Sequence, residues 1–167
     1  VATAAIPVVP PATIRASVLA SSHVISWSAG DSAVVSYSIQ RAVGSGAFTT
    51  LATVGRTVLT YTDSAILGGA TYSYRVVANG NAVPSAASAT LRFASVLRTP
   101  GAPTAARETS GVALAWSDAN STDVSYRVQR SIDGVTFAQI GVVAGGVGKR
   151  FVDTTAESSR QYWYRVQ

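Results

Sequence analysis

Large apolar side chains alternate with small or polar ones along two stretches that are nearly identical. The first is 35–41 (VSYSIQR) and the second is 124–130 (VSYRVQR). Successive side chains of an extended strand point to opposite sides, so Tyr37 and Ile39 share one face, as do Tyr126 and Val128. The pattern predicts, in both places, a strand with one buried side and one side in water.

The repeat extends well beyond this strand. Residues 27–54 match residues 116–143 at a constant offset of 89, and one inserted residue then aligns 72–76 with 162–166. A one-residue slip inside a strand would invert every side chain, so insertions confined to turns indicate a shared core. The repeat predicts two domains of about 90 residues, each large enough to bury a core of its own.

Turn residues separate the predicted strands. Gly44-Ser45-Gly46 and Asp133-Gly134 lie at matching places, and Asn79-Gly80 marks a further hairpin, because such turns need residues that tolerate positive φ. Helical periodicity is not sustained anywhere. Seven short strands in the first copy, the last at Ala87–Phe93, predict an all-β antiparallel sandwich.

The chain resembles the fibronectin type III domain in tandem, which implies two consecutive immunoglobulin-like antiparallel β-sandwiches. The residues that carry the resemblance are Pro11, Trp27, Tyr37, Ile39, Tyr61, Asp63, Leu67, Tyr72, Tyr74, Val76 and Ala78 in the first copy, and Pro103, Trp116, Tyr126, Val128, Phe151, Asp153, Tyr162, Tyr164 and Val166 in the second. The resemblance also implies that Tyr72 and Tyr162 form tyrosine corners, in which the phenol bonds to backbone upstream. Because Leu67 aligns with Glu157, we expect different packing at the second corner.

We divide the chain into four segments. Residues 1–10 form an extended lead-in or the end of a preceding domain, 11–97 the first domain, 98–102 a linker and 103–167 the second domain. The second copy stops at Gln167, in its penultimate strand. Either the parent chain continues, or a strand from another molecule completes the fold, with Val1–Ile6 as one candidate, or the domain is open.

Charge and composition exclude several classes of function. The net charge is +5, and the twelve arginines are spread singly along the chain instead of clustering on one element, so we expect no nucleic-acid partner. No apolar run reaches the length of about 18 residues that predicts a membrane span. The absence of cysteine removes disulfides, thiol catalysis and cysteine metal sites.

The residues that could carry chemistry favour structural roles. His23 is the only histidine and aligns with Val112, so we interpret it as a partly buried strand-end residue. The loop 118–123 comes nearest to a calcium site, but its counterpart in the first copy retains a single Asp, so we interpret it as a polar turn. Asp63 and Asp153 are expected to accept backbone hydrogen bonds at a strand end. We expect no catalytic residue, metal or cofactor.

Arginine and tryptophan supply the remaining candidates. Arg41 and Arg130 share a face with the core tyrosines, where the stem can lie on the core or on an aromatic ring while the head reaches water. Trp163 should face outward beside Arg127 and Arg165. An exposed tryptophan in such a setting indicates a contact surface for a neighbouring domain, another subunit or a sugar ring.

These observations favour a non-catalytic structural, spacer or adhesive module of a secreted or cell-surface protein. Two alternatives stay open: an accessory region of a secreted polysaccharide-degrading enzyme, and a packing subunit of an extracellular filament or sheath. The expected partners are other domains of the same protein or neighbouring subunits, with a polysaccharide as a further candidate.

Overall fold

The computed structural model describes residues 6–145 and 149–167, and within these ranges the chain forms thirteen strands. The strands of the first half are β1 (Ile14–Val18), β2 (His23–Trp27), β3 (Ser36–Val43), β4 (Thr49–Gly55), β5 (Thr60–Asp63), β6 (Thr71–Asn79) and β7 (Leu91–Ala94). Those of the second half are β8 (Thr104–Glu108), β9 (Gly111–Ala115), β10 (Ser125–Ser131), β11 (Ala138–Ala144), β12 (Arg150–Asp153) and β13 (Trp163–Val166). Within the described ranges, no helix is long and apolar enough to cross a membrane.

The chain divides into two units. The first contains the described part of Val1–Ile66 together with Ala70–Val96, and the second contains Leu67–Gly69 together with Leu97–Gln167. The domain limits 11–97 and 103–167 stay a prediction. Residues 1–5, which include most of the candidate donated strand, lie outside the described residues.

The first unit consists of two antiparallel sheets, in the orders β1-β2-β5 and β4-β3-β6-β7. Burial alternates along β2, where His23, Ile25 and Trp27 are buried and the residues between them are not. Along β6 the large buried side chains are Tyr72, Tyr74 and Val76. The alternation that predicted these strands therefore reflects a core between the two sheets.

The second unit repeats this arrangement with the sheets β8-β9-β12 and β11-β10-β13. Its core contains Leu114, Trp116, Tyr126, Val128 and Val166. The indole of Trp116 meets the ring of Tyr126 edge to face at 5.7 Å between centroids, and the matching pair in the first unit does so at 5.6 Å. The prediction of two antiparallel sandwiches is confirmed.

The two units also share a β-bulge. The β3–β4 ladder shifts register between Ile39 and Gln40, and the β10–β11 ladder shifts between Val128 and Gln129, the aligned positions. A bulge bends its strand and increases the local twist. The sequence repeat therefore preserves backbone irregularities as well as core residues.

The last strand of the first unit is shorter than predicted. We expected Ala87–Phe93, whereas β7 spans Leu91–Ala94 and an isolated bridge joins Ala87 to β6. Two backbone N–H groups of β6 donate instead to the hydroxyls of Ser88 and Ser85, at 3.0 and 2.9 Å. Side-chain oxygens thus replace backbone carbonyls along this edge, and the regular ladder begins only at residue 91.

The core assignment predicts the effect of removing Trp27. Trp27→Ala should lower the free energy of unfolding of the first unit by about 3–5 kcal/mol, because it deletes a buried ring and leaves a cavity. Denaturant unfolding followed by circular dichroism measures this. Arg15→Ser, a change at an exposed position of the same unit, serves as the matched control and should cost about 0.5 kcal/mol. Equal midpoints for Trp27→Ala and the wild type would contradict the core assignment.

Candidate functional site

A chain of hydrogen bonds joins five side chains inside the first unit. Arg41 Nη1 and Tyr74 Oη both donate to Asp63 Oδ2, at 2.8 and 2.7 Å. His23 Nδ1 lies 2.9 Å from Tyr74 Oη, and Ser95 Oγ lies 3.0 Å from His23 Nε2. Because the tyrosine proton is used on the carboxylate, the imidazole donates from Nδ1 and accepts from the serine at Nε2. We call this set the buried polar chain.

The strand register brings these residues together. His23 opens β2 opposite Asp63 at the end of β5, and Arg41 on β3 lies opposite Tyr74 on β6. Asp63 Oδ1 also accepts from the backbone N–H of Ala65 at 3.0 Å. The prediction that this aspartate accepts a backbone bond at a strand end is confirmed.

The guanidinium of Arg41 remains partly exposed and also binds a buried carboxylate. It lies 5.5 Å from the centroid of Tyr72, which confirms the predicted stacking, and it is bound to Asp63, whose side chain is only 1% exposed. The Arg41 side chain keeps 21% of its surface exposed, and the buried carboxylate is a partner that sequence parity could not place. A buried charge needs such a partner.

His23 is completely buried, so the prediction of partial burial is wrong. Three aromatic rings surround the imidazole, those of Tyr72, Tyr74 and Phe93, at centroid distances of 5.3, 5.7 and 4.8 Å. Burial lowers the pKa of His23 below 6.5; the nearby Asp63 carboxylate opposes this shift and Arg41 adds to it. The imidazole is therefore neutral at pH 7.

The buried polar chain contains a serine, a histidine and an aspartate, the residue types of a nucleophile with its base. Its geometry does not serve that purpose. Ser95 is 5% exposed, so its hydroxyl is not presented to a substrate carbonyl. Tyr74 stands between the imidazole and the carboxylate, so the aspartate does not hold the ring directly as it does in a triad.

The second unit repeats the charged half of this arrangement. Arg130 Nη1 and Tyr164 Oη donate to Asp153 Oδ2 at 2.9 and 3.0 Å, and Thr155 N donates to Oδ1 at 3.0 Å. Burial alone would raise the pKa of Asp153, but these hydrogen bonds hold it below its ordinary value. Val112 occupies the position of the histidine, so the chain stops at the tyrosine. Its presence in both units indicates a structural role for the ion pair.

The loop 118–123 and the second tyrosine corner also carry structural contacts. Asp118 Oδ2 lies 3.1 Å from Lys149 Nζ, and Asp118 Oδ1 accepts from both nitrogens of Asn120. In the described parts of the chain, no three potential ligands group together to hold a metal ion.

The second tyrosine corner is present. The backbone N–H of Glu157 donates to Tyr162 Oη at 3.2 Å. The tyrosine corner implied by the resemblance forms with Glu157 in place of leucine, because the bond uses the backbone N–H and not the side chain.

A cavity of about 440 Å³ opens in the second unit. Its wall includes Val112, Tyr162 and Tyr164, together with residues of the β8–β9 turn. In the first unit the aligned positions are His23, Tyr72 and Tyr74, and Phe93 of β7 packs on the rings of His23 and Tyr74. In the described part of the second unit, no strand pairs with β13 on the side away from β10.

The outer face of the β11-β10-β13 sheet carries the three residues predicted to form a contact surface. Trp163 and Arg165 alternate with the inward Tyr164 and Val166 on β13, and Arg127 projects from β10. Trp163 is 40% exposed. The structure therefore places all three on one face; their role in contact stays a prediction. We call this surface the Trp163 face.

The indole of Trp163 lies on the β10–β11 turn. A Cβ atom at Gly134 would stand 3.3 to 3.5 Å from three atoms of the indole ring. Gly134 itself has a φ of 76°, a conformation that favours glycine. Glycine thus permits both the turn and the close approach of the ring.

Side chains within the turn fix its shape. Ser131 Oγ donates to Asp133 Oδ1 at 2.7 Å and accepts from Gly134 N at 2.9 Å. The same carboxylate oxygen accepts from the N–H groups of Val135 and Thr136, both at 2.8 Å. These bonds hold the pKa of Asp133 well below its usual range. Sequence reasoning identified the Asp-Gly turn but missed that it supports Trp163.

Arg165 is part of a repeated trio. Its Nε donates to Gln129 Oε1 at 2.6 Å, and its guanidinium lies 4.3 Å from the centroid of Phe137. The first unit has the same trio, with distances of 2.7 and 4.1 Å, formed by Arg75, Gln40 and Phe48. Arg165 is therefore held in place by the sheet.

Arg127 and Trp163 are special to the second unit. The aligned residues of the first unit are Ser38 and Ser73. Ser38 accepts from Asn79 Nδ2 at 2.9 Å, whereas the side chain of Arg127 forms no ion pair with the described residues. The two outer faces share a frame, and these two substitutions are among the differences between them.

The structure is similar to a two-domain fibronectin type III segment from chicken tenascin, with 18% sequence identity, 93% of this chain and 89% of that chain covered, and a TM-score of 0.65. It is also similar to the FN1–FN3 domains of chicken CNTN1, with 17% identity, 96% of this chain covered and a TM-score of 0.54; the match spans 60% of that structure. No family model and no curated protein matches the sequence. At this identity the likeness shows the fold, which is that of tandem fibronectin type III domains.

The buried histidine predicts a pH dependence of the first unit. Well above pH 6.5 the imidazole is neutral in both the folded and the unfolded chain. As the pH falls below 6.5, the unfolded chain takes up the proton first, so the free energy of unfolding decreases until the lower folded-state pKa is passed. His23→Val, which installs the residue of the second unit, should remove this component. The free energy of unfolding is measured between pH 5 and 8 for both proteins. The same change with pH in both would contradict the assignment.

The buried ion pair predicts a second effect. Asp63→Asn keeps the size of the side chain but leaves the Arg41 charge without a counter-ion, so the free energy of unfolding of the first unit should fall by about 2–3 kcal/mol. Glu157→Gln breaks an exposed pair with Arg160 in the second unit and should change the free energy of unfolding of that unit by less than about 1 kcal/mol. Denaturant unfolding at pH 7 measures both. Equal effects of the two substitutions would show that burial does not strengthen the Arg41 pair.

Proposed function

We propose that this chain is a non-catalytic spacer and adhesive module of a secreted or cell-surface protein. One observation carries the proposal: the two units share their core aromatics and their buried ion pair, yet they differ on the outer sheet face. There, Trp163 and Arg127 replace two serines. An exposed aromatic ring and a charge added to one outer face, on a common frame, indicate that this face is used for contact.

The interior supports a non-catalytic role. The residues with the most suggestive chemistry, His23 and Ser95, are buried and hydrogen-bonded to each other. Acid–base catalysis requires a group within hydrogen-bond reach of its substrate. Neither side chain is accessible to a substrate. Both instead contribute to the packing and specificity of the core.

The fold supports an extracellular setting. Fibronectin type III domains are common in extracellular proteins, and each unit here is held together without a disulfide, by a core and an ion pair. A second candidate is an accessory region of a secreted polysaccharide-degrading enzyme, which the exposed Trp163 also favours. The two functions differ in whether the parent protein includes a catalytic domain.

Antibody labelling of source cells tests the proposal. An antibody raised against the purified chain should label intact cells or detect the protein in the medium. An antibody against a cytoplasmic enzyme should label only permeabilised cells and serves as the control. Labelling by both antibodies only after permeabilisation would overturn the proposed setting.

A further inference from the structure

We propose that the Trp163 face binds a polysaccharide chain that carries carboxylate groups. Trp163 provides the surface on which a sugar ring stacks, and Arg127 and Arg165 provide the positive charges that attract its carboxylates. This inference rests on the proposed adhesive function and names the class of its partner.

Trp163 has the properties of a stacking platform. The turn at Gly134 supports the indole, while 40% of the residue remains exposed. Because Ser131 and Asp133 fix the turn through their own hydrogen bonds, the ring is already ordered before a ligand arrives. Binding to a preorganised group avoids part of the entropy cost of ordering side chains.

The charge of the face selects an anionic ligand. Strands β10, β11 and β13 contain three arginines and no aspartate or glutamate. Arg130 is used by Asp153 in the interior, so Arg127 and Arg165 remain on the outer side. The adjoining β10–β11 turn contains one carboxylate, that of Asp133. It accepts hydrogen bonds from Ser131 and from two backbone N–H groups. A ligand with carboxylates therefore complements the charge of this face.

The spacing of the groups suits an extended chain. Trp163 and Arg165 lie two residues apart on one side of β13, roughly 7 Å along the strand. Two residues further, Gln167 pairs with Arg127 through two backbone hydrogen bonds of 2.8 and 3.0 Å. The indole, the first guanidinium and the second guanidinium therefore follow one another along the sheet. A polymer with a carboxylate on successive rings could therefore contact the indole and both guanidinium groups at once.

The neutral residues favour a sugar over an acidic peptide. Gln129 and Gln139 lie opposite each other on the outer face, and Gln129 uses its oxygen to accept from Arg165, which leaves its NH₂ group as a donor. Amide groups on the same face as an indole suit a ligand rich in hydroxyls. An acidic peptide would pair with the two arginines but would make few contacts with the exposed ring face and the amides.

The test is titration calorimetry of the full chain with hexagalacturonate, a sugar with one carboxylate per ring. Maltohexaose, a neutral hexamer, and hexaglutamate, an acidic peptide, are the comparison ligands. We expect binding of hexagalacturonate, weakened by salt, with maltohexaose about tenfold weaker and hexaglutamate about tenfold weaker. Equal binding of hexaglutamate would make the face a site for acidic protein and overturn the proposal, and equal binding of maltohexaose would remove the role of the arginines.

Variants taken from the first unit locate the site. Trp163→Ser and Arg127→Ser install the aligned residues of the first unit, so each should fold, which circular dichroism verifies, and each should weaken binding by about tenfold. Arg15→Ser changes an exposed arginine on the other sheet of the first unit and should leave binding unchanged. If the wild type does not bind hexagalacturonate, or if Trp163→Ser binds equally well, the proposal is wrong.

The result is separable from the cell-labelling experiment. Surface labelling without binding of hexagalacturonate would leave the adhesive module in place with another partner. Binding of hexagalacturonate by a protein found only inside cells would instead overturn the proposed function.

Discussion

The structure depends on a buried carboxylate that links the two sheets of each sandwich. Asp63 belongs to one sheet of the first unit, and Arg41 and Tyr74, which both donate to it, belong to the other. The same bonds recur at Asp153 in the second unit. The chain has no cysteine, so no disulfide joins the sheets. Charge-assisted hydrogen bonds with defined geometry perform that task and fix how the sheets face each other.

This link explains why the repeat preserves the buried aspartate together with the arginine and the tyrosine that donate to it. Hydrophobic side chains tolerate replacement by others of similar volume, whereas a buried carboxylate without its partners would leave uncompensated charge. The first unit extends the network to His23 and Ser95, and the second ends it with Val112. The histidine is thus a feature of the first unit alone, where Phe93 of β7 packs on its ring.

The outer faces follow a different rule from the core. The trio of an arginine, a glutamine and a phenylalanine is the same in both units, so it belongs to the frame. Trp163 and Arg127 do not recur. Because outward positions of a sheet carry little packing constraint, they can change without disturbing the fold. In the second unit that freedom produces an ordered indole beside two positive charges.

The sequence alone determined the fold class, the repeat, the strands and the outward direction of Trp163, because these follow from periodicity along the chain. It could not determine which residues meet across the sandwich. Arg41 and Asp63 are 22 residues apart, and only the packing of one sheet on the other brings them within 2.8 Å. For the same reason the full burial of His23, the serine hydroxyls that shorten β7 and the turn beneath Trp163 emerged only from the tertiary structure. Each depends on contacts between strands that no local pattern encodes.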